Sequence, residues 1–269
     1  LTPGERRFVD HILAFFAASD RIVNINIIDR FRNELPILEV QYFYDFQCSM
    51  EDIHAETYAL QLQTIVPDER ERQRLLDAIN TMPIVAKMTK WMFDTVESEL
   101  PFCQRLLRMA CVEGIFFTAS FCAIYWLQNR GLMPGLGHAN EFIARDEALH
   151  TEFAIHLYTL CSERLSPETA HSTVAAAVAI AKQFAAESLP TGLSEMNSEL
   201  MSQYIECVAD NLLALADYAP LYRSKNPFGF MEQLNLANRT NFFERRPSEY
   251  SKEKIETAES EDWNSYVSY

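Results

Sequence analysis

A chain of 269 residues is long enough to bury a substantial core, and its 48% apolar and 23% charged residues are the balance of an ordinary globular protein. The formal net charge of −15 argues against binding nucleic acid or an anionic membrane surface. Six cysteines without a CxxC pair fit a reducing, cytoplasmic setting.

Thr2-Pro3-Gly4-Glu5 has the form of a capping box with proline at the first helical position. The helix it opens carries Leu13, Phe16, Val23 and Ile27 as an apolar stripe, with Asp20 in the same phase. Pro36 precedes a second helix, about 37–65, and Pro67-Asp-Glu-Arg opens a third with acids in its first turn. A fourth follows Pro83 and includes Trp91.

Pro101 restarts the chain into its most apolar helix. There, Met109–Leu127 runs nineteen residues with one charge, Glu113, and so imitates a membrane span. A helix buried on all sides of a bundle explains it better, because the other long helices carry polar faces. The Gly131–Gly137 stretch is predicted as a loop. Further helices are expected at about 138–161, from Ser166 to near Pro190, and at about 194–217, with a short one around 228–236. The residues from 245 to 269 are polar, lack periodicity and are expected to form a flexible C-terminal tail. The pattern predicts an all-α bundle of about eight helices, with one domain over residues 1–244.

The chemistry lies in the order of the acids and histidines. Glu-x-x-His places both side chains on one helix face and occurs three times, at Glu51/His54, Glu147/His150 and Glu168/His171. The third pair sits in a first helical turn after Ser-Pro, where an acid serves the helix dipole, and is read as a decoy. The other two each follow a lone carboxylate in an apolar helix, Asp20 and Glu113, at separations of 31 and 34 residues. An unpaired buried carboxylate costs several kcal/mol. Four helices turning four carboxylates and two histidines inward is how bundles hold two transition-metal ions. Oxygen-rich ligation with one imidazole per metal suits iron or manganese better than zinc.

Five stretches carry a resemblance: Phe15-Phe-Ala-Ala-Ser-Asp20, Met50-Glu-Asp-Ile-His-Ala-Glu-Thr-Tyr58, Val112-Glu-Gly-Ile-Phe-Phe117, Arg145-Asp-Glu-Ala-Leu-His150 and Thr240-Asn-Phe-Phe-Glu244. Together they resemble the small (beta) subunit of class I ribonucleotide reductase, of eukaryotic or viral type, from residue 1 to about 252. The resemblance implies a ferritin-like bundle with two iron ions per chain in an oxygen-bridged pair, manganese being the alternative. Asp20 and His54 would bind the first metal, Glu113 and His150 the second, and Glu51 and Glu147 would bridge them. Tyr58 matches the tyrosine oxidised to a stable radical, with Phe117, Phe121 and Ile143 as its apolar pocket. Asp146 matches the carboxylate on the first metal's histidine, and Tyr250 a tail tyrosine that relays the radical. A large subunit bound through the C-terminal tail and a homodimer are implied likewise.

Two features depart from that pattern. None of Trp91, Trp126 or Trp263 occupies the place of the family's N-terminal radical-pathway tryptophan, so the chain is expected to be a fragment. The ending Glu261-Asp-Trp-Asn-Ser-Tyr-Val-Ser-Tyr269 is acidic and aromatic without closely matching the family's docking peptide. A different di-metal oxidase and a metal-free scaffold are the competing readings; Tyr58 with its phenylalanines opposes the first, and the complete acid–histidine set the second.

Overall fold

The computed structural model describes residues 1–189 and 196–231. Among these, residues 3–215 form nine helical segments, and residues 229–231 make a further helical turn at the edge of the described residues. The nine are α1 (Pro3–Glu34), α2 (Leu38–Ile65), α3 (Glu69–Leu76), α4 (Ala78–Thr81), α5 (Pro83–Glu97), α6 (Phe102–Asn129), α7 (Pro134–Leu160), α8 (Pro167–Ser188) and α9 (Ser198–Leu215). The expected eight become nine because Asp77 interrupts the third helix. One compact unit spans Leu1–Phe228. The short helix expected at 228–236, the tail and Tyr250 fall largely or wholly outside the described residues.

The ends are set by local chemistry. Thr2 and Glu5 form the reciprocal capping box that starts α1. Asp68 and Ser166 cap α3 and α8 by accepting the amide N–H groups of Glu71 and Thr169. The predicted Gly131–Gly137 loop is shorter than expected. Met133 takes a left-handed conformation (φ 52°), and Pro134 occupies the first helical position, so α7 begins there and absorbs Gly135 and Gly137.

Helices α1 and α2 pack along one another, as do α6 and α7, and α2 meets α7 between the pairs. Both α1 and α6 are long and apolar enough to cross a membrane. However, 72% and 83% of their apolar windows are buried inside the fold, which makes them core helices. Each also contains a π-helical turn, Ile27–Phe31 in α1 and Val112–Phe117 in α6. The second carries Glu113, and such a turn re-aims a side chain relative to a regular α-helix.

Helix α2 divides its surface sharply. Val40, Tyr44, Gln47, Glu51, His54, Tyr58 and Leu62 are buried on one face, while Leu38, Tyr42, Phe46, Ile53 and Leu60 are exposed on the other. The inward face is the one that carries the chemistry.

Candidate metal centre

Helices α1, α2, α6 and α7 each turn acids or histidines into the space between them. Asp20, Glu51, His54, Glu113, Glu147 and His150 are all buried, none more than 2% exposed. They form two adjoining clusters whose oxygen and nitrogen atoms lie within 4.8 Å of one another: Asp20, Glu51 and His54, and Glu51, Glu113, Glu147 and His150.

The two glutamates on α2 and α7 divide their oxygens between the two histidines. Glu51 places Oε2 3.2 Å from His54 Nδ1 and Oε1 2.9 Å from His150 Nδ1. Glu147 places Oε1 3.0 Å from His54 Nδ1 and Oε2 3.3 Å from His150 Nδ1. Helical i,i+3 spacing brings each histidine onto its own glutamate, and the close approach of α2 and α7 supplies the crossed contacts. The far nitrogen of His54, Nε2, lies 3.1 Å from Asp146 Oδ2.

Charge in this space is far from balanced. Burial, reinforced by Glu51 and Glu147, raises the Asp20 carboxyl well above its usual range, and burial with Glu147 does the same to Glu113. Burial also opposes ionisation of Glu147, but hydrogen bonds with Glu113, His150 and His54 outweigh it and hold that carboxyl low. The histidines are raised against the effect of burial. His54 is pushed up to about 12 by Asp146, Glu147 and Glu51, and His150 to about 9 by Glu147 and Glu51.

Both oxygens of Asp20 and Oε2 of Glu113 are buried without a hydrogen-bond partner. Natural interiors seldom leave buried carboxylate oxygens unpaired. A pair of divalent cations fits this donor set of carboxylates and imidazoles, and satisfies those atoms.

Beyond the clusters, Tyr58 is fully buried one turn past His54. Burial first, then the charges of Asp20, Glu147 and Glu51, push its phenol well above its usual range. Phe16 stacks on its ring at 4.5 Å between centroids and 4° between planes. Phe117 and Phe121 pack on Phe16 in turn, at 5.5 and 5.0 Å. Ile143 is buried one turn before Glu147.

Three residues of this environment were given no role at the site by the sequence: Phe16, read only as part of an apolar stripe, Gln47 and Asn140. Gln47 donates from Nε2 to Glu51 Oε1 at 3.4 Å and Glu113 Oε1 at 3.3 Å. Asn140 accepts from the Tyr58 hydroxyl at 3.3 Å. Phe16 and Gln47 each stand four residues before an acid of the site, a phase that would have flagged them. The Glu168/His171 pair lies apart at the start of α8, where His171 Nε2 donates to the carbonyl of Ala219 at 2.9 Å.

A bundle that gathers paired carboxylates and histidines from four helices defines the ferritin-like di-metal carboxylate class. Within that class, the family described as ribonucleotide reductase, small chain, matches residues 1–227. The ribonucleoside-diphosphate reductase small chain of Nicotiana tabacum is 49% identical over 255 residues, covering 95% of this chain and 78% of that one. Subunit M2 of the human enzyme is 44% identical over 263 residues, covering 97% and 68%. The Rnr4 homodimer of Saccharomyces cerevisiae has a similar structure, with a TM-score of 0.78 at 29% identity, covering 89% and 77%.

The chain belongs to the ribonucleotide reductase small chain family. It is the radical-generating subunit of an oxidoreductase that converts ribonucleoside diphosphates to deoxyribonucleoside diphosphates. Its carboxylate–histidine site is that of a di-metal cofactor, iron or manganese.

Proposed function

We propose that the cofactor is a pair of iron ions, one of which Asp20 and His54 would hold and the other Glu113 and His150, with Glu51 and Glu147 shared between them. The observation that carries this assignment is the division of each glutamate's oxygens between the two histidines. When bound, the pair supplies the power to oxidise with O2 that side chains alone lack. Asp146 fixes His54 by accepting from Nε2, which leaves Nδ1 facing the centre.

Tyr58 is the residue that stores the oxidising equivalent, giving up one electron and its phenolic proton. Its burial, with Phe16 stacked on its ring and Phe117 and Phe121 packed on Phe16, keeps water and reductants from the ring, and Ile143 completes the proposed pocket. The radical then passes to a large subunit in the cytoplasm. Residues 1–244 form the radical-generating domain, while Tyr250 relays the radical from a docking tail at 245–269. A chain ending at residue 244 that still supported full reductase activity would overturn the role of the tail. A homodimer is favoured by the exposed apolar face of α2.

The central test loads the metal-free protein with Fe(II), admits O2 and records electron paramagnetic resonance spectra of wild type and Tyr58→Phe. A tyrosyl signal in wild type alone is the expected result. Metal uptake without a radical would overturn the role of Tyr58, and no metal uptake would overturn the ligand assignment.

A further inference from the structure

Asn140 sits on α7, fully buried, with both polar atoms of its side chain and its backbone carbonyl facing other residues. Its Nδ2 donates to the carbonyl of Leu136 at 2.8 Å, and its own backbone carbonyl accepts from the Tyr125 hydroxyl at 3.0 Å. The donation to Leu136 fixes the amide's orientation, since a flipped side chain would set two carbonyl oxygens against each other. What remains is Oδ1, an acceptor, and it faces the Tyr58 hydroxyl at 3.3 Å. The hydroxyl therefore donates to a neutral amide, although both oxygens of Asp20, whose charge acts on this phenol, lack hydrogen-bond partners.

This arrangement is one-sided. A phenol has a hydrogen to donate, and a phenoxyl radical has only acceptor capacity. We propose that Asn140 is a positioning residue for Tyr58, holding its O–H as an acceptor and offering no N–H to the oxidised oxygen. It stabilises the phenol over the radical and so makes the stored equivalent a stronger oxidant. The contact is long for an O–H···O bond, so the hydroxyl is aimed without being strongly held. Oxidation breaks the phenolic O–H bond: Tyr58 supplies one of the four electrons and one of the four protons that reduce O2 to two waters, and Oδ1 is left without its donor. The ferrous pair would supply two electrons, an external one-electron reductant the fourth, and solvent the other protons. The inference rests on the reading of Tyr58 as the radical residue.

Two measurements test it, and they fail separately. In the metal-free protein, ultraviolet resonance Raman spectra with the Tyr58→Phe spectrum subtracted report the ring modes of Tyr58 alone. Asn140→Leu is expected to shift the hydrogen-bond-sensitive ring doublet. An unchanged doublet overturns the contact whether or not a radical forms.

In wild-type holoenzyme carrying 13C-labelled asparagine, an infrared difference spectrum between the radical and reduced states is expected to show one asparagine carbonyl band. That band moves to higher wavenumber on oxidation, as the carbonyl loses its donor. A wild-type spectrum with no asparagine band overturns the one-sided role, and it needs no variant that folds. A downward shift also overturns it. If wild type forms no tyrosyl radical, the reading of Tyr58 falls and the radical part of this inference with it.

Discussion

His54 Nε2 and Asp146 Oδ2 lie 3.1 Å apart, joining a side chain of α2 to one of α7 across the edge of the metal centre. His54 is buried, whereas Asp146 keeps about a quarter of its side chain exposed, so the contact links the closed site to the surface. Carboxylates in this position orient metal-bound imidazoles and raise their basicity, and their loss costs about 10–100-fold in metal affinity. Asp146→Asn should weaken Fe(II) binding by roughly that factor in a chelator competition. Helix content and the affinity of the more distant Glu113–His150 half should change less. Unaltered affinity would make Asp146 an incidental neighbour.

The metal-free site predicts an unusual pH dependence of stability. His54 is pushed up to about 12 and His150 to about 9, against an ordinary value of 6.5. A group raised on folding contributes stability in full below its unfolded pKa and loses it as pH rises through the folded value. The contribution of His150 therefore drains away between about pH 6.5 and 9, and that of His54 continues to fall above it. The raised carboxyls of Asp20 and Glu113 act in the same direction from lower pH, whereas Glu147, held low, favours the fold above its ordinary range.

The Tm of the metal-free protein should thus fall from pH 6.5 to 9. Metal ions need deprotonated ligands, so binding should release protons and tighten as pH rises. Calorimetry in buffers of different ionisation enthalpy measures that release, and zero release would refute the protonation pattern.

How much of this was legible in the sequence differs by residue. Asp20 and Glu113 stood out because carboxylates in apolar helices need an explanation, and the order of lone acid and Glu-x-x-His helices pointed to convergence. The structure brings those six residues together. Asn140 was not legible, since an uncharged amide in a helix costs little until burial and a neighbour give it a role, and Gln47 left only its phase with Glu51 as a signal. The π turn at Val112–Phe117 was hidden too, because hydrophobic periodicity over six residues does not separate 3.6 from 4.4 residues per turn. The start of α7 was misplaced because its glycines masked the helix-starting proline, Pro134. Tyr250 and the tail lie outside the described residues, and their roles in relay and docking depend on resemblance alone.

The exposed face of α2 yields a prediction about assembly. Leu38, Tyr42, Phe46, Ile53 and Leu60 form one apolar stripe on the side opposite Glu51, His54 and Tyr58. Exposed apolar stripes of this kind mark interaction surfaces. Ile53→Glu places a charge at the middle of the stripe without touching the buried face. Sedimentation should show the wild type as a dimer and the variant shifted to monomer, with metal content per chain retained. A variant that sediments with the wild type would place the dimer contact elsewhere.

Gly114 sets how closely α6 can approach α7. A Cβ at this position would lie 2.9 Å from Cγ2 of Thr151, and 3.4 Å from a methyl group of Leu212. Gly114 follows Glu113 and Thr151 follows His150, so the spacing at this contact also sets the spacing of the two metal-facing side chains. Two effects oppose one another in Gly114→Ala. Alanine gains about 0.5–1 kcal/mol over glycine within a helix, while overpacking a filled core costs about 1–3 kcal/mol. Overpacking should win, because the atom in the way is a β-branched methyl group on a buried helix, not the end of a flexible side chain. Gly114→Ala should therefore lower the urea midpoint and weaken metal binding together. Thr151→Ser deletes Cγ2, and in the double variant both losses should largely reverse. If Gly114→Ala destabilises the protein and Thr151→Ser does not relieve it, the conflict lies with Leu212 or the π turn, and the glycine is not the spacer between Glu113 and His150.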